Sequence, residues 1–307
     1  MPSIAALPDP SKPLPQVPGP RLAPFSPTAY ADIEFVEELG NPEEHLDGHV
    51  WKVKINGAPT CYVLKMPVGR TLMRPLASPR LYIDYLDPFN CECRAYGRLQ
   101  EENRQDLAVR AHGYLLLTPQ QEAEVEQRSG GFYFPPVDEK ATSLDSGTNP
   151  WGRWEEHRGV PVRAILQGLW RDLEDLHKLG ILVRDVSIGN YMGGKLIDFS
   201  RSWAIPHPCF ESIDPYWMCD ERQADPLALD GAILDWAVEA RWKQEHVDLI
   251  PRELRECASG EGRDDPYGTD PRYYDWRKWE EDLEAVDSFH EHELYGAPEP
   301  EGEESED

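Results

Sequence analysis

Residues 181–200 read Ile-Leu-Val-Arg-Asp-Val-Ser-Ile-Gly-Asn-Tyr-Met-Gly-Gly-Lys-Leu-Ile-Asp-Phe-Ser, and this stretch decides the fold. It places Asp185 first, Asn190 five positions later, and Asp198 at the end of a short apolar strand. Phosphoryl transfer uses such a trio, because one carboxylate orients the attacking hydroxyl while an amide and a second carboxylate hold Mg²⁺. The order of these side chains predicts a phosphoryl-transfer site with Asn190 and Asp198 as metal ligands.

The same order and the same first spacing occur in the protein-kinase signature, H-R-D-x-x-x-x-N followed by D-F-G. Arg184 and Asp185 match its R-D pair and are the predicted catalytic residues, while Val183 replaces the His. Ser187 stands where many protein kinases have a Lys near the γ-phosphate, so one source of transition-state charge stabilisation is missing. The stretch predicts an α+β, protein-kinase-like fold with two lobes, a small antiparallel sheet in the N-lobe and a mainly helical C-lobe.

Composition limits the classes of function. The chain has 307 residues, of which 40% are apolar and ten are Trp, enough for two lobes with proper cores. Its formal net charge of −26 repels nucleic-acid phosphates, so no direct nucleic-acid binding is expected. The sequence has no apolar run long enough for a membrane-spanning helix. The six Cys form no paired C-x-x-C pattern, which favours a reduced compartment, the nucleus or the cytoplasm.

The first half of the chain has the element order of a kinase small lobe. Alternating apolar residues predict three strands, at 33–39, 50–55 and 61–66, with a turn at Asn56-Gly57. A helix is predicted over 88–101, followed by two more strands at 108–110 and 114–118. We therefore assign residues 31–135 to the N-lobe. The Pro-rich residues 1–30 before it are predicted to form a disordered arm.

The second half is predicted to be mainly helical. Residues 119–159 are rich in Gly, Pro, Ser and acids, which indicates the lobe connection and an insertion. The C-lobe is assigned to residues 136–292, and an acidic, disordered tail to residues 293–307. A strong helix begins at Pro161 and is closed by Gly180, and a tight hairpin is predicted at Gly193-Gly194. Two further helices are predicted at 231–245 and 275–292.

Lys65 is the predicted nucleotide-binding cation. It lies in Val-Leu-Lys-Met, a strand sequence like the kinase V-A-I-K motif, where the Lys holds the α- and β-phosphates of ATP. Glu92, at the start of the helix over 88–101, is its predicted partner. The simpler interpretation is a surface Lys and a first-turn Glu that is stabilised by the helix dipole.

The predicted phosphate-binding loop matches its motif poorly. Gly40, Gly48 and Val50 correspond to its ends, but Val50 follows Gly40 by ten positions instead of the seven of the motif. The middle glycine is missing, and three acidic residues lie where phosphates would bind. An ordinary acidic loop is the alternative interpretation.

The segment after Asp198 gives information on the kind of substrate that the site could phosphorylate. No A-P-E motif follows it, and a protein kinase needs that platform to hold a peptide. The oxygen atoms of Asn190 and Asp198 suit Mg²⁺. An alternative is a pseudokinase that keeps these side chains for hydrogen bonding.

The chain also resembles a fungal family of Sim-four kinetochore complex subunits (FTA-two-like), whose members have a protein-kinase-like fold. The resemblance covers roughly residues 30–210, and the segments that carry it are 87–100, 108–115, 176–185, 198–203 and 206–208. It implies kinase-like site residues at Lys65, Glu92, Asp185, Asn190 and Asp198. It also implies protein partners in a fungal complex and a nuclear location.

Two functions are thus expected from the sequence. The first is an atypical phosphotransferase that binds ATP and Mg²⁺ between the lobes and acts on an unknown acceptor, for which a small molecule fits the missing peptide platform. The alternative is a catalytically weak pseudokinase that serves as an interaction module. Such a module would be a kinetochore complex subunit or an accessory protein of a fungal gene cluster.

Overall fold

The computed structural model describes residues 17–25, 31–39, 48–67, 82–128, 162–212, 215–239 and 270–279. The fold is α+β, as predicted, with a small antiparallel sheet and several helices. The C-terminal parts of the helices predicted at 231–245 and 275–292, most of the predicted insertion and the acidic tail lie outside the described residues.

The small sheet has three antiparallel strands in the order β1-β2-β3: β1 (Ile33–Glu38), β2 (Gly48–Ile55) and β3 (Cys61–Pro67). All three strand predictions are confirmed. Asn56 and Gly57 make the turn after β2 with φ of 52° and 67°, a conformation that Gly adopts at no steric cost and Asn tolerates.

One face of the sheet forms a small core of its own. The alternation in β1 and β2 puts Ile33, Phe35, Val53 and Ile55 on the buried face, where they pack with Val125. Val125 belongs to helix α2, which is described below.

Five α-helices follow in the described part of the chain: α1 (Pro88–Glu101), α2 (Pro119–Arg128), α3 (Val162–Lys178), α4 (Pro208–Ser212) and α5 (Pro215–Glu239). The predicted bounds of α1 are confirmed at both ends. The side chain of Asp87 caps its N-terminus by accepting hydrogen bonds from the backbone N–H groups of Phe89 and Asn90 at 3.1 and 3.4 Å. Pro88 then stands at the first helical position, where its missing N–H costs nothing.

Four short strands complete the described fold: β4 (Ile181–Leu182), β5 (Tyr191–Met192), β6 (Lys195–Leu196) and β7 (Trp203–Ala204). β5 and β6 form the predicted hairpin, and Gly193 and Gly194 between them have φ of 57° and 75°. β4 pairs with β7. The largest apolar cluster joins this region to α1, α3 and α5.

Two strand predictions are wrong. Residues 108–110 and 114–118 contribute only isolated bridges, from Ala108 to Leu196 and from Tyr114 to Pro24. The reason is that their backbone groups bond to the hairpin and to the N-terminal residues, so no ladder extends along them.

The predicted arm is corrected for residues 17–25, which we call the N-terminal strap. Part of it is buried, since Val17 is 3% exposed and Leu22 is 5% exposed. The sequence does not predict that Val17 and Leu22 are buried, because the prolines around them remove the periodicity by which buried elements are recognised.

One helix, α2, was not predicted, and two others differ from their predicted bounds. α2 begins inside the segment assigned to the lobe connection, after a capping box in which Thr118 and Gln121 exchange side-chain to backbone hydrogen bonds at 2.8 and 3.2 Å. α5 begins at Pro215 rather than at residue 231. Of the helix predicted over 275–292, the described part is a 3₁₀ turn, Trp276–Trp279.

Candidate functional site

Lys65, Glu92 and Asp198 form a charged triad. The ammonium of Lys65 donates a hydrogen bond to Glu92 Oε1 and lies 2.6 Å from Asp198 Oδ1. The three side chains come from β3, from the first turns of α1 and from the loop after β6. The structure thus brings together a cation and two carboxylates that are far apart in sequence, as the pairing of Lys65 with Glu92 predicted.

The triad is largely buried, and its pKa shifts follow from that. Burial raises the pKa of Glu92 to about 7, and the nearby charge of Lys65 only partly opposes this effect. Burial also acts to raise the pKa of Asp198, but Lys65 and the N–H of Ser200, 2.8 Å away, hold it below its usual range. Burial acts to lower the pKa of Lys65, and the two carboxylates more than compensate, so it is raised. Glu92 is therefore the member that takes up a proton near neutral pH.

A second group of residues lies around Asp185. The side-chain amide of Asn190 donates to the backbone carbonyl of Asp185 at 2.7 Å, which ties the two ends of this loop together. The backbone N–H of Ile197 donates to the carbonyl of Asn190 at 2.9 Å, so the hairpin returns the chain beside Asn190 one residue before Asp198. Arg201 Nε lies 3.6 Å from Asp185 Oδ2.

Arg184, a predicted catalytic residue, points away from this group. Its guanidinium stacks 3.7 Å above the ring of Trp203, and its Nε donates to Glu221 Oε2 at 3.0 Å. Its backbone has a φ of 64°, an uncommon conformation for a residue other than glycine. The geometry therefore gives Arg184 a part in holding the loop.

The residue that fixes this loop was not found from the sequence. Asp225 on α5 is 1% exposed and accepts hydrogen bonds from the backbone N–H groups of Val183 and Arg184 at 2.7 and 2.6 Å. Its Oδ2 also lies 2.9 Å from His177 Nε2. We call these four residues the loop anchor. The groups that bind Asp225 are mostly backbone N–H groups, so no side-chain motif in the sequence predicts these contacts.

The predicted phosphate loop is described only at its end. Gly48 is the first residue of β2, and Val50 pairs directly with Lys65 across the sheet. Val50 therefore lies beside the triad, as a residue that touches a bound nucleotide would need to. Gly40 lies outside the described residues.

No group of three or more His, Cys, Asp or Glu with the arrangement of a metal site occurs in the part of the chain that the structure describes. The pair chosen from the sequence consists of one amide and one carboxylate, Asn190 and Asp198. Since Nδ2 of Asn190 is engaged by Asp185, the amide oxygen is the atom with the chemistry to bind a cation. That pair stays a prediction.

None of the described helices is both long enough and apolar enough to cross a membrane. No curated protein and no solved structure matches the chain, so the two-lobed kinase-like arrangement also stays a prediction. One family model does match, that of the kinetochore Sim4 complex subunit FTA2, over residues 10–203. The matched stretch includes the strap, the small sheet, α1 and the whole region of Asp185 and Asp198. As it covers more than half of the 307 residues, the chain belongs to the kinetochore Sim4 complex subunit FTA2 family.

Proposed function

We propose that this chain is a protein-binding subunit of a kinetochore complex in the nucleus. Its own kinase-like fold serves as the scaffold for its protein partners. The observation that carries the proposal is the family match over residues 10–203, because members of that family are described as subunits of such a complex. The net charge of −26 agrees with a subunit that contacts proteins rather than DNA directly.

In this function the charged triad is a structural clamp. Lys65 bonds to carboxylates from two other elements, so one side chain joins β3, α1 and the loop of Asp198. A buried ion pair gives little net stability relative to apolar residues, but the loss of one partner is costly because it leaves a charge unpaired. The triad thus fixes how these elements meet and needs no ligand to do so.

The test is localisation of the full chain, tagged at one end and expressed at its native level. We expect enrichment at centromeric chromatin by immunoprecipitation and copurification of other kinetochore subunits. An Asp185→Asn variant should localise like the wild type, because a scaffold does not need a hydroxyl-orienting carboxylate. A signal spread evenly over the chromatin would contradict the proposal.

A second candidate is the phosphotransferase, and one observation favours it. It is supported by the ion pairs of Lys65 with Glu92 and Asp198 and by the hydrogen bond from Asn190 to Asp185, because phosphoryl transfer uses residues of these types. In this function Lys65 would hold the phosphates, Asp198 and Asn190 would hold Mg²⁺, and Asp185 would orient the acceptor hydroxyl. Mg²⁺ bound there would supply charge neutralisation on the phosphates.

Mg-ATP binding separates the two candidates. For the phosphotransferase we expect a higher Tm of the full chain at millimolar Mg-ATP, since a ligand that binds only the native state stabilises it. A Lys65→Met variant should lose that shift. Turnover of ATP by the wild type and not by Asp185→Asn would then establish catalysis. An unchanged Tm at millimolar Mg-ATP would contradict the phosphotransferase and leave the scaffold.

A further inference from the structure

The N-terminal strap lies in a groove between α1 and residues 111–114. Its backbone is held in register: the N–H of Leu22 donates to the carbonyl of Cys93 at 2.9 Å, and the N–H of Phe25 donates to Tyr114 at 2.9 Å. The N–H of Tyr114 donates back to Ala23 at 3.2 Å. An extended segment that adds to another segment through main-chain hydrogen bonds is a common mode of peptide recognition.

The strap has two apolar anchors, Leu22 in this groove and Phe25 beside it against the small sheet. Leu22 packs against Cys93, with four half-buried residues around them, Phe89, Tyr96, Ala111 and Tyr114. The ring of Phe25 meets the ring of Tyr62 edge-to-face at 5.2 Å. The anchors are three residues apart with Pro24 between them, a pattern suited to a proline-rich peptide on an aromatic-lined surface.

The groove has no room for side chains at two points. A Cβ on Gly97 of α1 would lie 2.6 Å from the backbone N and C of Arg21, and a Cβ on Gly113 would lie 2.5 Å from the backbone N of Phe25. Real Cβ atoms do not approach backbone this closely, so these glycines allow the strap to touch the surface beneath it.

Arg94 connects the seated strap to the rest of the molecule. It is 5% exposed; its Nη1 donates to the carbonyl of Pro18 at 2.9 Å, and its Nη2 donates to Ala204 at 3.2 Å and to Pro206. One buried guanidinium on α1 therefore bonds to the strap, to β7 and to the segment after β7. Arg94 follows Glu92 by two residues on α1, so whatever fixes Arg94 also limits the movement of the triad.

We propose that this groove is a binding site for an extended, proline-rich peptide with Leu and Phe anchors, and that residues 17–25 occupy it as a ligand in the same chain. Occupation of the groove holds α1 in the position at which Glu92 meets Lys65. The proposal is independent of the kinetochore role, since it concerns only contacts within this chain.

The first test compares two glycine-to-alanine variants of the full chain. Alanine in a helix is intrinsically more stable than glycine. At Gly168 on α3 a Cβ would meet nothing within 4 Å, so Gly168→Ala should keep or raise the Tm. Gly97→Ala should lower the Tm and speed amide exchange of residues 17–25 by about tenfold to a hundredfold, the range expected from overpacking. Equal behaviour of the two variants would overturn the proposal.

The second test measures whether release of the strap changes the accessibility of Lys65 in the triad. Lys65 should react slowly with an amine-labelling reagent while it is paired and buried, relative to the more exposed Lys178 of the same molecule. Leu22→Ser, which leaves α1 unchanged, should make Lys65 react several-fold faster. If the strap is released and the rate of Lys65 labelling stays the same, the proposal that the strap holds Glu92 at Lys65 is wrong.

A synthetic peptide tests the groove as a binding site. Excess peptide with the sequence of residues 15–27 should restore slow Lys65 labelling in the Leu22→Ser chain. The same peptide carrying Leu22→Ser should fail to restore it. Failure of the wild-type peptide as well would show that the groove holds the strap only as part of the continuous fold and would overturn the peptide site.

Discussion

Glu92 in the charged triad and Asp225 in the loop anchor are both buried carboxylates, but the groups that face them differ. Asp225 accepts hydrogen bonds from two backbone N–H groups and lies beside His177. Glu92 faces the ammonium of Lys65, which it shares with Asp198. One carboxylate is held mainly by fixed dipoles and the other by a mobile side-chain charge.

This difference separates a rigid region from an adjustable one. Two of the groups that face Asp225 are backbone N–H groups, which cannot change rotamer, so the helix that carries Asp225 sets the position of their loop. The triad depends on three ionisable groups, of which Glu92 titrates near neutral pH. We therefore expect mutations in the anchor to lower the free energy of unfolding, and mutations in the triad to change how that free energy depends on pH.

The largest effect is expected from Asp225→Ala. It leaves the buried N–H group of Val183 and the half-buried N–H group of Arg184 without their acceptor, and the loss of such a charge-assisted set costs about 3–5 kcal/mol of unfolding free energy. Urea unfolding followed by circular dichroism measures it. Asp235→Ala, at an exposed position of the same helix, is the matched control and should change the free energy by less than about 0.5 kcal/mol. Similar losses for both variants would show that the helix, and not the anchor, is sensitive.

The intermediate effect is on the pH dependence of stability. Since burial raises the pKa of Glu92 from 4.5 to about 7, the native state binds its proton more tightly than the unfolded state does. Stability from this group is therefore present below pH 4.5 and is lost as the pH rises to about 7. The loss is at most about 3 kcal/mol. Glu92→Gln should flatten that slope.

Urea unfolding between pH 5 and pH 8 tests this prediction. Glu34→Gln, at an exposed site of β1 where the carboxylate pairs with Lys54, is the control and should keep the slope of the wild type. A slope that persists unchanged in Glu92→Gln would mean that another group takes up the proton.

The elements that sequence reasoning found are those with local causes. The three strands follow from alternation, and α1 follows from Asp87 and Pro88 at its start. The pairing of Lys65 with Glu92 was within reach because the order of elements constrains which strand and which helix can meet. The Thr118–Gln121 capping box also has a local cause, since a Thr followed three residues later by a Gln is a sequence pattern for the start of a helix.

The features that sequence reasoning missed depend on hydrogen bonds to backbone groups that are far away in the sequence. Asp225 lies more than 40 residues from the N–H groups that it binds, and backbone groups carry no sequence signature. The strap was missed for a related reason, since its hydrogen bonds go to Cys93 and Tyr114 and its proline content suggested a free arm. The strands predicted at 108–110 and 114–118 failed because a short apolar run does not show whether a neighbouring strand will pair with it.

The smallest effect on the free energy of unfolding is expected from Arg201→Gln, which removes the ion pair with Asp185. The side chain of Arg201 is 49% exposed and its Nε lies 3.6 Å from Asp185 Oδ2, so the pair is screened by solvent. Exposed ion pairs contribute about 0–1 kcal/mol, and we expect a change in unfolding free energy within that range. Lys52→Gln, at an exposed pair with Glu37, is the control and should give a change of the same size. A loss above about 2 kcal/mol for Arg201→Gln alone would place Asp185 in the structural framework beside Asp225. A small loss instead would show that the pair of Arg201 with Asp185 contributes little to the stability of the fold.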